Sequence, residues 1–180
     1  MKDSKNLVIG MLCAVLCIMA VAYAAFTTTL NINGSANISS NWSVIIPASD
    51  GISCITQAAA GGSEEGLSAS GTADGGTSAT FTMSFVQPGD SATCTVKIKN
   101  AGTLNAKVSD VQITGNDATG AIRFSVQGID NTKKLAAAGE MTFTVTGTYD
   151  ASTSTQPGAG DKTKSLTVTP IFVQDMDAGA

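Results

Sequence analysis

The chain has 180 residues, of which 5% are aromatic and 13% charged, with a formal net charge of −4 and no histidine. That length holds one ordinary domain with its own core. An acidic chain repels nucleic acid phosphates and anionic lipid. Without histidine it cannot build a His-Glu-x-x-His zinc site, a Ser-His-Asp triad or a Cys-His nucleophile. Thr occurs 23 times and Ser 18 times. Thr favours strands and Ser favours turns, so the composition reads as a Thr-rich β protein.

Met1–Asn6 is polar and carries Lys2 and Lys5; Leu7–Phe26 is an uncharged apolar run of about 20 residues, the length a spanning helix needs. It closes on Ala22-Tyr23-Ala24, a small-x-small exit that marks cleavage before Ala25. The segment is therefore a removable export signal or a membrane anchor, and Ala22, Ala24 and Ala25 favour the signal. Residues 1–24 are read as a signal peptide. Residues 25–180 are read as one domain, which carries −5 once Lys2, Asp3 and Lys5 (net +1) are gone. Cys13 and Cys17 each follow a Leu, where a lipobox needs a small residue, and are read as apolar filler.

The first mature stretch alternates with period two. Phe26, Leu30, Ile32, Ala36, Ile38, Trp42, Val44 and Ile46 fall on even positions, with Thr, Asn and Ser between them. Such a pattern buries one face of a strand. A two-residue turn at Asn33-Gly34 would flip the pattern, so a three-residue loop or a bent continuous strand is expected there.

Residues 53–79 are rich in Gly, Ala and Ser around Glu64-Glu65 and read as a flexible loop, with room for a short strand or turn inside. Strands follow at Thr80–Val86 (Phe81, Met83 and Phe85 inward) and Ser91–Lys99 (Ala92, Cys94, Val96 and Ile98 inward). They are separated by a turn at Pro88-Gly89-Asp90. Leu104, Ala106 and Val108 keep even parity but Val111 and Ile113 are odd, so the phase slips near Ser109-Asp110, as at a β-bulge or a strand changing sheets. Ala121–Gln127, Glu140–Tyr149 and Ser165–Gln174 complete the set. Pro170 places the last at an edge or a bulge, and Leu135–Ala138 reads as a single helical turn. The fold expected is all-β, a two-sheet antiparallel sandwich, jelly-roll or Ig-like, preceded by an N-terminal hydrophobic signal helix.

Cleavage leaves Cys54 and Cys94. In an oxidising compartment they are expected to form one disulfide, the alternative being two buried free thiols. Asp90, Asp110, Asp117, Asp130 and Asp150 fall at turns or strand ends, where Asp is common for backbone reasons, and lack the spacing of a calcium loop. Glu64-Glu65 sits in a flexible stretch unsuited to holding an acid and a base. No catalytic residue, metal or cofactor is expected, and the chain is not read as an enzyme.

Several stretches resemble the TasA/camelysin-like group of secreted proteins with SipW-type signal peptides. They are Val21–Phe26 with the Thr-rich strand after it, Val86-Gln87-Pro88-Gly89-Asp90-Ser91 running into Thr95–Thr103, Leu135–Glu140, and Ile171-Phe172-Val173-Gln174. The resemblance implies a jelly-roll-like sandwich acting in surface or biofilm-matrix fibres, where one subunit's N-terminal strand completes its neighbour's sheet. Some camelysin-like proteins are classed as metallopeptidases; the absence of histidine argues against that activity here.

The residues themselves suit strand donation. Processing before Ala25 frees a half-apolar strand, with Phe26, Leu30, Ile32, Ala36 and Ile38 as its inward side chains, and such a strand can add to an exposed sheet edge. Head-to-tail addition does not close, so it makes filaments. The expectation is a secreted cell-surface or matrix structural protein that self-associates into fibres and meets a signal peptidase during export. It has no nucleic acid partner and touches membrane only through its signal segment. One alternative is a monomeric adhesion module that binds through loops 53–79 and 151–162. Another is a surface protein anchored by an uncleaved N-terminal helix.

Overall fold

The computed structural model describes residues 3–26, 40–117, 120–152, 157–158 and 162–176. They belong to two compact units, residues 1–38 and 39–180. The first contains α1, Asp3–Phe26, whose side chains are described over residues 8–19 and exposed there. Among the described residues no helix is long and apolar enough to cross a membrane. The described helix runs through the Ala-rich stretch Ala20–Ala25, in keeping with the high helix propensity of Ala. Phe26, expected to open a strand, is instead the last residue of the helix.

The second unit is a two-sheet antiparallel β-sandwich. Its strands are β1 (Val44–Ile45), β2 (Ile52–Gln57), β3 (Ser68–Ala73), β4 (Ala79–Ser84) and β5 (Ser91–Asn100). They continue with β6 (Ala106–Thr114), β7 (Ile122–Gln127), β8 (Lys134–Leu135), β9 (Glu140–Tyr149) and β10 (Thr163–Gln174). One sheet has the order β1-β5-β9-β7, with β2 also pairing β5; the other has the order β3-β4-β10-β6-β8. β1 and β2 share one flank of β5, opposite its residues 99–100 and 91–96.

Alternation drives these elements together. Phe81 and Met83 from one sheet and Val96, Ile98, Phe143 and Val145 from the other are almost completely buried. Each strand thus hides one row of side chains between the sheets, as the period of two requires. Gly147 lies in the inward row of β9. A Cβ there would come within 2.7 Å of Met83 Sδ and 2.9 Å of Phe85 Cζ, so the facing sheet fills the space a side chain would need.

The expected phase slip is a β-bulge. Asp110 faces Ile171 and Val108 faces Phe172, which leaves Ser109 as the extra residue of β6. Ser109 Oγ donates to the Ile171 carbonyl at 3.1 Å. Pro170 stands beside this bulge, but β10 is a central strand of its sheet rather than an edge. Central placement is tolerated because β4 ends its pairing at Ala79 opposite Val168. Past that point a hydroxyl takes over: Thr77 Oγ1 donates to the Pro170 carbonyl at 2.8 Å.

Three further expectations are corrected. Residues 53–79 are less of a loop than expected: most of β2, all of β3 and the start of β4 lie there, and the connections are confined to residues 58–67 and 74–78. Trp42 is not on the buried face; it is 44% exposed, whereas Val44 and Ile46 are buried. β1 places Val44 opposite Asn100, the end of β5, so Trp42 extends past the sheet. Leu135 belongs to β8, and the chain turns after it, with Gly139 N donating to the Ala136 carbonyl at 3.0 Å.

Candidate functional site

The sequence points to two sites, a cysteine pair and the N-terminal segment. Cys54 and Cys94 are directly opposite each other in the β2/β5 register and are joined by a disulfide. Cys94 is fully buried. The bond clips an edge strand to the centre of its sheet, and such a bond is compatible with an extracellular protein. Ala22, Ala24, Ala25 and Phe26 lie on the helical backbone of α1. Leu30, Ile32, Ala36 and Ile38, and the Asn33-Gly34 turn, lie outside the described residues.

Strand addition needs a sheet edge with unpaired backbone groups, so the edges of the sandwich are the surfaces to compare. At the edge strand β7, Asn116 Oδ1 accepts from Phe124 N and Asn116 Nδ2 donates to the Phe124 carbonyl, both at 3.4 Å. A side-chain amide thus occupies the place of a neighbouring strand. β3 is the outer strand of the other sheet. It lies close to β2: a Cβ on Gly71 would sit 2.6 Å from Ile52 Cγ2. A recess of about 240 Å³ opens there between Pro47, Ala48, Ile52, Gly71, Thr72 and Ala73.

The edge formed by β6 is open beyond its first residues. β8 covers only Ala106 and Lys107, and Val108 N donates to the Lys133 carbonyl at 2.9 Å. From Ser109 to Thr114 the only strand partner among the described residues is β10. Ile113 faces the fully buried Val168 across that pair but is itself 42% exposed, so an apolar side chain meant for the interior reaches solvent here. Asp110 Oδ1 accepts from Val111 N at 2.9 Å and satisfies one edge donor.

The turn carboxylates serve the backbone. Asp130 Oδ1 accepts from Thr132 N at 2.8 Å, and Asp150 Oδ1 accepts from Ser152 N at 2.8 Å. In both residues the hydrogen bond from the following Thr132 or Ser152 side chain is the main cause holding the carboxyl below its usual pKa. Asp150 also pairs with Arg123 at 3.3 Å. Among the described residues no three His, Cys, Asp or Glu side chains converge as a metal site would require.

Sequence reading missed two polar organisers. Asp90 is fully buried. Its Oδ1 accepts from Ala59 N at 2.9 Å and its Oδ2 from Val86 N at 2.9 Å and Gln87 N at 2.8 Å. Asn100 is also buried; it donates to the Leu104 carbonyl at 2.8 Å and accepts from Gly102 N at 3.0 Å. Both stand in turn motifs visible in the sequence, but nothing there shows that the polar side chain points inward.

Tyr149 is the opposite case. It is fully buried, and its hydroxyl has no hydrogen-bond partner among the described residues. Burial, then the nearby Asp90 carboxylate, pushes its pKa above the usual value. Removing a buried hydroxyl that bonds nothing relieves its desolvation cost. Tyr149→Phe is therefore expected to leave stability unchanged or to raise it by up to about 1 kcal/mol, measured by urea unfolding. A loss above that size would mean the hydroxyl has a partner. No family model, no curated protein and no solved structure matches this chain.

Proposed function

We propose that this chain is an exported structural protein of the cell surface or extracellular matrix, with the TasA/camelysin-like character its sequence suggests. In this reading it is not an enzyme, and its copies assemble end to end. The alternating segment from Phe26 to Ile38 of one copy adds as a strand to the open edge of β6, residues 109–114, of the next. The observation that carries the reading is that edge, where residues 109–114 of β6 have no second strand neighbour among the described residues and Ile113 is exposed on the inner side. An incoming half-apolar strand would pair its backbone there and cover Ile113. Both sheets, as described, are built from residues 44–174. The proposed donor is therefore not needed to complete any strand pair described here.

Electron microscopy with size-exclusion chromatography tests this on protein beginning at Ala25. Filaments are expected, and a variant lacking residues 26–39 should remain folded and monomeric. A stable monomer at micromolar concentration from the chain beginning at Ala25 would overturn strand donation and favour a monomeric binding module. Mass spectrometry of the native N-terminus separates both from an anchored form, because a chain starting at Ala25 has lost its helix.

A further inference from the structure

The outward face of the β3-β4-β10 sheet carries a regular array of hydroxyl groups. Ser84 Oγ bonds Thr163 Oγ1 at 2.8 Å, and Thr82 Oγ1 bonds Ser165 Oγ at 3.0 Å. Thr80 Oγ1 bonds Thr167 Oγ1 at 2.9 Å, and Thr169 Oγ1 donates to Ser78 Oγ at 2.9 Å. These four rungs form a ladder between β10 and β4 with Ser78 just before it. Strand β3 adds a third column, because Ser68, Ser70 and Thr72 stand opposite Ser84, Thr82 and Thr80. Strand geometry sets the spacing at roughly 4.8 Å across the strands and roughly 6.7 Å along them.

High Thr content alone explains hydroxyls on an exposed face, since Thr is a good strand former. It does not explain the absence of charge. The chain has 24 charged residues, 10 basic and 14 acidic, and none occupies these positions. The outward face of the other sheet is also Thr-rich, yet it mixes in Lys97, Lys99, Arg123 and Glu140. The β3-β4-β10 part of this face is thus neutral, and charge enters the sheet's outward row on β6, with Lys107 and Asp110.

Hydrogen-bond accounting indicates the partner. Each hydroxyl offers one donor and two acceptor lone pairs, and a rung consumes one donor and one acceptor. A rung therefore keeps one O–H and three lone pairs, and the face is rich in acceptors. The rung bonds also hold the side-chain rotamers, which lowers the entropy lost on binding. A complementary ligand is uncharged, supplies many O–H donors and repeats on the scale of the array.

We propose that this face is a binding platform for a neutral polyhydroxylated polymer, a polysaccharide of the wall or matrix type. The platform is the face of a sheet, not its edge, and does not depend on strand donation. Sedimentation of the full chain, purified in mild detergent, with microcrystalline cellulose, chitin and granular starch tests it. At least one of the three should deplete the chain from solution. That depletion should persist between about 0.05 and 1 M sodium chloride, because no charge takes part.

The triple variant Thr80→Val, Thr82→Val, Thr167→Val removes three hydroxyls at constant shape and should weaken retention at least about tenfold. The control variant Thr93→Val, Thr146→Val, on the other sheet's outward face, should bind as the parent does. Amide shift changes on adding soluble oligosaccharides of the retaining polymer should be confined to β3, β4 and β10, which tests the face without substitution. No retention on any of the three polymers overturns the proposal. So does retention abolished by salt, equal loss in both variants, or shift changes elsewhere in the sandwich.

Discussion

Replacing both Cys54 and Cys94 by Ala is expected to lower the unfolding free energy by about 4 kcal/mol. The bond joins positions 40 residues apart. In the chain-entropy account, closing a loop of that size removes about that much freedom from the unfolded ensemble. For a domain of this size the melting temperature should fall by roughly 12–15 °C. The local consequence is as specific as the global one. Among the described residues β2 pairs only with β5, at the outer flank of its sheet. Without the clip, amide exchange should rise first in Ile52–Gln57, while β9, paired on both sides, stays protected. Calorimetry with and without reductant, together with hydrogen exchange, checks both parts. Cys13 and Cys17 lie on α1 and are unpaired, so their replacement should leave the sandwich melting transition where it is. An unchanged melting temperature in the Cys54, Cys94 double variant would show that the bond does not constrain folding.

Asp90→Ala is expected to cost about 3 kcal/mol, an effect out of proportion to a single turn residue. Its carboxylate accepts three backbone N–H groups, from Ala59, Val86 and Gln87, that would otherwise have no partner at this site. An unsatisfied buried donor costs roughly 1–3 kcal/mol, and these three bonds are only part-buried, so the sum stays below three full penalties. The same residue also fixes the β4–β5 connection through its main chain. Tyr149 N donates to the Asp90 carbonyl at 2.9 Å, and Gly89 N to the Tyr149 carbonyl at 2.9 Å. Asp90→Asn should recover only part of the loss, because an amide nitrogen would replace one of the two acceptor oxygens. The comparison is Asp74→Ala. Asp74 is exposed, and its Oδ1 accepts only from Gly76 N at 2.8 Å. That change should stay within about 1 kcal/mol. Guanidinium unfolding of the three variants checks the order, and an Asp90→Ala loss under 1 kcal/mol would refute the role assigned to it.

The disulfide and Asp90 differ in how far the sequence reveals them. Cys54 and Cys94 can be paired by elimination, because they are the cysteines outside the apolar N-terminal run. Their exact opposition is a matter of strand register, which alternation does not carry. Asp90 follows Pro88-Gly89 and reads as an ordinary turn residue. Two of its three bonds are local, from Val86 and Gln87, but the third depends on the return of Ala59 to the β4–β5 turn, a contact that spans 31 positions of sequence.

The sequence by itself determined the strands with large side chains on one face. β4, β5, β7 and β9 stand within a residue or two of their expected bounds, and the parity break near Ser109 is the bulge. Burying one row of Phe, Met, Val and Ile while wetting the next leaves a local signature that needs no partner to be seen. Tertiary structure alone decided β2 and β3. Ala69, Gly71 and Ala73 face inward only because Ile52 and Phe81 supply the bulk they lack. It also decided that Trp42 lies past the end of its sheet and that Pro170 fits a central strand. Above all it decided which edges are guarded and which face is a grid of hydroxyls. Those properties belong to strand order and register, which distant residues set together and no single segment encodes.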